Sequence, residues 1–110
     1  MIPRNFGGFT VRLARPSDRA ACYEVCLRTG DSGRDATSLH SDPEALGNVY
    51  VGAYLAFEPG FALVLEDAGG VCGYALGALD TRSFHARYIK EWLPPLRALR
   101  PAPPPPASAW

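Results

Sequence analysis

One stretch, residues 61–80 (FALVLEDAGGVCGYALGALD), limits what this chain can become, because only there do two strand-like runs meet at an unambiguous turn. Phe61, Ala62, Leu63, Val64 and Leu65 form an uninterrupted apolar run, the pattern of a strand covered on both faces, and Glu66 and Asp67 close it. Ala68, Gly69 and Gly70 supply the turn, the glycines taking the positive φ angles of a tight connection. A return strand starts at Val71. Along it Gly73, Ala75 and Gly77 leave one face almost bare, while Cys72, Tyr74, Leu76 and Ala78 fill the other. Glycine inside a strand weakens it, so the bare face marks a bulge, a closely packed helix or a ligand.

Other elements fall around this hairpin. Residues 1–9, with Pro3, Gly7 and Gly8, read as a flexible leader, and Thr10 to Ala14 alternate as an opening strand with Val11 and Leu13 toward the core. Ser17 or Asp18 then starts a helix that runs to Thr29, its apolar face built from Cys22, Val25, Cys26 and Thr29 and its stop supplied by Gly30. A polar loop occupies residues 30–41 (GDSGRDATSLHS). Asp42 and Pro43 open a short second helix that Gly47 interrupts, and Tyr50, Tyr54 and Phe57 follow at helical spacing. After the hairpin, Thr81 caps a helix bearing Phe84, Tyr88 and Trp92 on one side, and Pro94 with Pro95 ends it. Residues 98–110 are a Pro-rich, disordered tail.

Composition narrows the function classes. A chain of 110 residues, 47% hydrophobic and 20% charged, forms one small domain, and its zero net charge argues against a nucleic-acid partner held by overall charge. Charge is nonetheless segregated: residues 35–80 hold Asp35, Asp42, Glu44, Glu58, Glu66, Asp67 and Asp80 and no Lys or Arg, which admits a cationic partner. Three cysteines are not a disulfide framework, and no signal-like or membrane-spanning apolar run is present, so a cytoplasmic setting is expected.

Several motifs together resemble the GNAT family of N-acetyltransferases, in the bacterial branch similar to the acetyltransferase-like domain of O-GlcNAc hydrolases. They are VRLARPSD, LRTGDSGRDAT, VYVGAYLAFEP, GVCGYALGALDT and EWLPPLR, spread over residues 10–97. The resemblance implies an α/β (α+β) fold, the N-terminal half of a GNAT domain in the order β-α-α-β-β-α, with the family's fourth and fifth strands missing. It also implies transfer of acetyl from acetyl-CoA to an amine. The family's acetyl-CoA loop, Gln or Arg, two residues, Gly, one residue, Gly or Ala, cradles pyrophosphate on backbone N–H groups at a helix start. This chain has no glutamine, and its one Arg-x-x-Gly, Arg4 to Gly7, is followed by Phe9 where a small residue is required. A truncated, substrate-side half, inactive alone and binding no acetyl-CoA, is therefore the expectation.

By the resemblance, Asp31 and Asp35 sit in the substrate loop and Asp80 ends the third strand, so all three line a groove for a cationic amine, with Tyr54 donating from its hydroxyl. Asp31 and Asp35 serve equally well as turn formers. No catalytic acid or base is assigned. Cys22, Cys26, His40, Cys72 and His85 do not make a zinc pattern, since helical cysteines more often serve as small buried hydrophobes. Arg100, Pro103 and Pro106 have the R-x-x-P-x-x-P spacing of an SH3 ligand, a pattern that short proline tracts match by chance. The alternative to an enzyme half is a non-catalytic interaction module that pairs through its Pro-rich tail or through an open strand edge. That edge, from Val71 to Leu79, is uncharged and invites self-association.

Overall fold

The hairpin at residues 61–80 forms as expected, at one side of a four-stranded antiparallel sheet, in a computed structural model that describes residues 3–99. The strands are β1 (Arg4–Phe6), β2 (Phe9–Leu13), β3 (Ala62–Asp67) and β4 (Gly70–Leu76), and they lie in that order. Between β2 and β3 come α1 (Arg19–Arg28), α2 (Ala45–Tyr50) and α3 (Gly52–Phe57). After β4 come α4 (Thr81–Arg87), a π-helical turn (Tyr88–Trp92) and α5 (Leu93–Leu99). The mixed α/β class is as expected, but the predicted order gains a strand at its start.

That strand corrects the flexible leader. Gly7 and Gly8 take φ of 52° and 93°, the paired positive values of a two-residue hairpin turn, and fold Arg4–Phe6 back onto β2 with Phe6 opposite Phe9. Two further expectations change at β4. Only Gly70 in the turn has positive φ, and β4 ends at Leu76, so the exposed edge is shorter than residues 71–79. A bulge opposite Leu65 and Glu66 then shifts the phase: Val71 packs on the core, Cys72 turns out to solvent, and Tyr74 and Leu76 point inward again.

Pro94 and Pro95 do not stop the last helix. The Leu93 N–H donates to the Tyr88 carbonyl, five residues back, and the helix restarts as α5 with both prolines in its first turn, where no backbone donor is needed. The tail from residue 100, including Arg100, Pro103 and Pro106, lies outside the described residues.

Helices α1, α2 and α3 cover one face of the sheet, and the core forms between Cys22, Tyr23 and Cys26 of α1, Val64 of β3 and Val51 at the α2–α3 junction. Burying Val51 and Val64 contributes about 2 kcal/mol each. The predicted apolar face of α1 is rotated, since Tyr23 and Leu27 are buried while Thr29 is exposed. Gly47 does not break α2. It lets the helix lie on the Tyr23 ring, whose Cγ would stand 2.3 Å from a Cβ added there. From the far side, α4 and the π turn pack against α3 through rings: Tyr54 stacks on Phe84 at 4.3 Å, and Phe57 meets Trp92 edge-on at 5.7 Å. Tyr50, predicted in this aromatic set, is exposed.

Candidate functional site

Immediately after α1 the chain makes a tight turn, Asp31 to Arg34, closed by reciprocal backbone bonds of 3.0 and 2.9 Å between those two residues. Ser32 has φ of 51° and Gly33 of 88°, and Ser32 is the one non-glycine with positive φ among the described residues. A β-carbon in that region is strained, so the turn is held in its shape by its surroundings. Gly30 seats the turn against α2, where an added Cβ would come within 2.5 Å of Leu46. The exposed Asp31 carboxylate makes no side-chain hydrogen bond or ion pair among the described residues. Asp35, also exposed, accepts from the Thr37 hydroxyl and, at 2.9 Å, from the Thr37 N–H; these bonds hold its carboxyl below the usual range.

Beside this turn, the C-terminal half of α1 and the start of β4 enclose a groove of about 360 Å³ lined by Glu24, Val25, Arg28, Thr29, Val71 and Cys72. Arg28 is engaged by Glu24 at 2.6 Å, and the loop brings Asp31, Asp35 and the exposed Arg34 after it.

Tyr54 and Asp80 stand elsewhere. Tyr54 lies on α3, which meets the N-terminal end of α1, where Pro16 and Arg19 share a cavity with Gly52 and Leu55. Asp80 caps α4, its carboxylate accepting from the Arg82 and Ser83 N–H groups at 3.0 and 3.2 Å, the role sequence reading gave to Thr81. The four predicted residues thus separate into two pairs along α1: Asp31 with Asp35, and Tyr54 with Asp80.

Sequence reading missed the most connected polar group, Arg12. Its guanidinium, 5% exposed, takes Val11 and Leu13's expected place on the helix side of β2, where it holds Asp18 through a two-pronged bond of 2.7 and 2.9 Å and Glu66 through one of 3.1 and 3.2 Å. Asp18 also accepts from the Arg15 N–H at 2.7 Å, so its carboxylate serves the chain before the helix instead of capping α1. Hydrogen bonds from Arg12 lower the pKa of both acids. Because folded values lie below unfolded ones, the stability these acids contribute is complete above an unfolded carboxyl pKa of about 4 and is lost as pH falls from there through the folded values. Melting temperature should hold between neutral pH and mild acid and then drop steeply below about pH 4. Thermal melts in a pH series check this, and a flat profile down to the most acid point would mean that the network contributes little.

Cys22 and Cys26 are buried core residues, with burial raising the Cys22 thiol, and Cys72 is exposed. Tyr74, packed beside Cys26, is pushed up to about 12, first by burial. Carboxylates stand just before α2 and at the start of α4, from Asp42 and Asp80, and the Gly69 N–H of the hairpin turn is taken by Asp67 at 2.8 Å. Each would repel a second anion.

No family model matches the chain. Protein O-GlcNAcase of Rattus norvegicus and of Mus musculus are each 35% identical to it over 86 residues, 78% of this chain and 9% of theirs. The solved structure of SsHAT superposes with a TM-score of 0.82 at 39% identity, over 91% of this chain and 50% of that one. Sheet order, helix placement and these likenesses define the class as an acetyltransferase-like α/β fold. More narrowly, the chain is a GNAT-like N-terminal half, homologous to the acetyltransferase-like domain of the O-GlcNAcases, and it spans only a small part of those proteins' length.

Proposed function

We propose that this chain forms the amine-binding side of a GNAT N-acetyltransferase domain, which moves an acetyl group from acetyl-CoA to an amine. The likeness to SsHAT over 91% of the chain carries the reading. The strained turn that displays Asp31 beside the α1–β4 groove supports the amine's place, because a free carboxylate there attracts an ammonium group and orients its carbon chain along apolar Val25 and Val71. Asp35 shapes the loop through Thr37 and adds negative charge. Tyr54 and Asp80, at the far end of α1, belong to a second contact region for an extended amine such as a peptide. On this reading acetyl-CoA is the co-substrate of the complete domain, to which this chain contributes the amine side. Three free thiols support a reducing, cytoplasmic setting.

Titrating the 110-residue chain with a lysine-containing peptide should move backbone NMR signals of residues 28–37, and Asp31→Asn should weaken binding roughly threefold, the effect of one exposed charge. Titration calorimetry with acetyl-CoA should show no binding. Micromolar acetyl-CoA binding, or a peptide that leaves the loop unmoved, overturns the proposal. A second reading, a non-catalytic interaction module, is supported by the uncovered apolar face of the sheet, and it expects Asp31→Asn to change nothing.

A further inference from the structure

At the start of α1, at the other end of that helix from the Asp31 turn, a cavity of about 520 Å³ opens between α1, α3 and the π turn. Its volume is that of a small-molecule site, roughly 300–1,000 Å³. Leu55, Ala56, Pro59 and Trp92 form its walls, and among the described residues that line it Arg19 is the only charged one. Trp92 is brought there by an irregularity. A π turn gives up regular helical bonds, and such turns recur at functional sites. Here it carries the indole onto Gly52, where an added Cβ would stand 2.5 Å from the ring's Cζ2. The Nε1–H donation to the Asn48 carbonyl at 2.7 Å and the edge-on contact with Phe57 then hold the ring, so this wall is formed before any ligand arrives. Arg19 is exposed, and its guanidinium lies 4.9 Å over the centre of the Tyr23 ring. Among the described residues no carboxylate stands within ion-pair distance of it. Glu44 acts on it from the neighbouring cleft and does not line the cavity.

We infer that this cavity binds a small apolar carboxylic acid, its carboxylate held by Arg19 and its hydrocarbon or aromatic body laid against Leu55, Ala56 and the Trp92 indole. Charge and wall chemistry together select that class. A guanidinium holds a carboxylate through two parallel N–H···O bonds, and the Tyr23 ring beneath Arg19 steadies the cation that makes them. The apolar walls favour a body that leaves water to lie against them. A bare phosphate or sulfate would meet Arg19 and leave the walls unused, and a neutral hydrocarbon would leave the cation unused. A cationic amine is repelled by Arg19, and neither Tyr54 nor Asp80 lines the cavity. The site is therefore distinct from the groove beside Asp31, and amine binding plays no part in it.

The test titrates the 110-residue chain, followed by NMR, with hydrocinnamate and, as the uncharged control, with its amide. Backbone signals of residues 52–59 and the indole N–H of Trp92 should move, and those of residues 28–37 should stay. The acid should bind roughly fivefold more tightly than the amide, the effect of one partly exposed ion pair. Arg19→Gln should erase that preference and leave the amide's affinity unchanged. Ala56→Trp, at an exposed position of the wall, should fill the cavity and abolish binding of both probes. Circular dichroism of each variant should match that of the parent, and if Ala56→Trp unfolds the chain, the acid-to-amide ratio in Arg19→Gln decides by itself. Three outcomes overturn the inference: no movement at residues 52–59 at several millimolar acid, an amide that binds as tightly as the acid, or a preference for the acid that survives Arg19→Gln. Each leaves the peptide titration of residues 28–37 untouched, so failure here is distinct from failure of the proposed function.

Discussion

Asp18→Asn should lower the melting temperature by more than 10 °C, an effect of about 3 kcal/mol in a domain of this size. Every donor of the Arg12 guanidinium is engaged: Nε and one Nη2 proton by Glu66, one proton on each Nη by Asp18, and the remaining Nη1 proton by the Leu13 carbonyl at 3.1 Å. An asparagine keeps the shape but turns an amide donor toward one of these donors and removes the charge that balances the buried cation. Breaking a buried pair costs about 3–5 kcal/mol, and the lower figure applies because Glu66 remains. Glu66→Gln should cost much less, since that side chain is a third exposed. Replacing both partners, Arg12→Met with Asp18→Leu, should recover most of the loss, because no uncompensated charge is then left in the core. A loss of only a degree or two in Asp18→Asn would show that water reaches Arg12 and that the network is peripheral.

Arg12 also shows why part of this molecule could not be read from its sequence. TVRLA alternates apolar Val11 and Leu13 with Thr10 and Arg12, a phase that points the apolar pair inward, yet the arginine takes the helix side because Asp18 and Glu66 meet it there. The 61–80 hairpin was legible because an apolar run and a glycine turn point to the same element. Gly7 and Gly8 were not, because a glycine pair after a proline reads as flexibility unless its strands have bulk, and β1 is exposed throughout. Within the candidate site, the loop after α1 was recognisable from its glycines and acids. The separation of Asp31 and Asp35 from Tyr54 and Asp80 was not, because it follows from which end of α1 each loop reaches, a property of packing. Asp80 was singled out for its charge, yet its neighbours Arg82 and Ser83 use it as a cap.

Gly47→Ala should destabilise the chain by about 2 kcal/mol, although the same substitution in a free helix gains about 1 kcal/mol from propensity. The new Cβ would lie 2.3 Å from Cγ of Tyr23 and 2.5 Å from both Cδ atoms, well inside any real contact. The ring has little freedom to retreat. It is 4% exposed, its hydroxyl donates to Asn48 Oδ1 at 2.9 Å, and the Arg19 guanidinium lies over its face at 4.9 Å from the centroid. Asn48 is itself fixed, its carbonyl accepting from the Trp92 indole N–H at 2.7 Å, so moving the ring disturbs the packing of the π turn as well. Helix α2 must therefore lift away from α1, opening the core beside Val51. A double-mutant cycle separates the steric cost from propensity. In a Tyr23→Ala background, itself costly through the cavity it leaves, adding Gly47→Ala should be neutral or stabilising by up to about 1 kcal/mol. The coupling measured by thermal or urea unfolding should thus approach about 3 kcal/mol. Additive effects of the two substitutions would show that α2 does not rest on the Tyr23 ring.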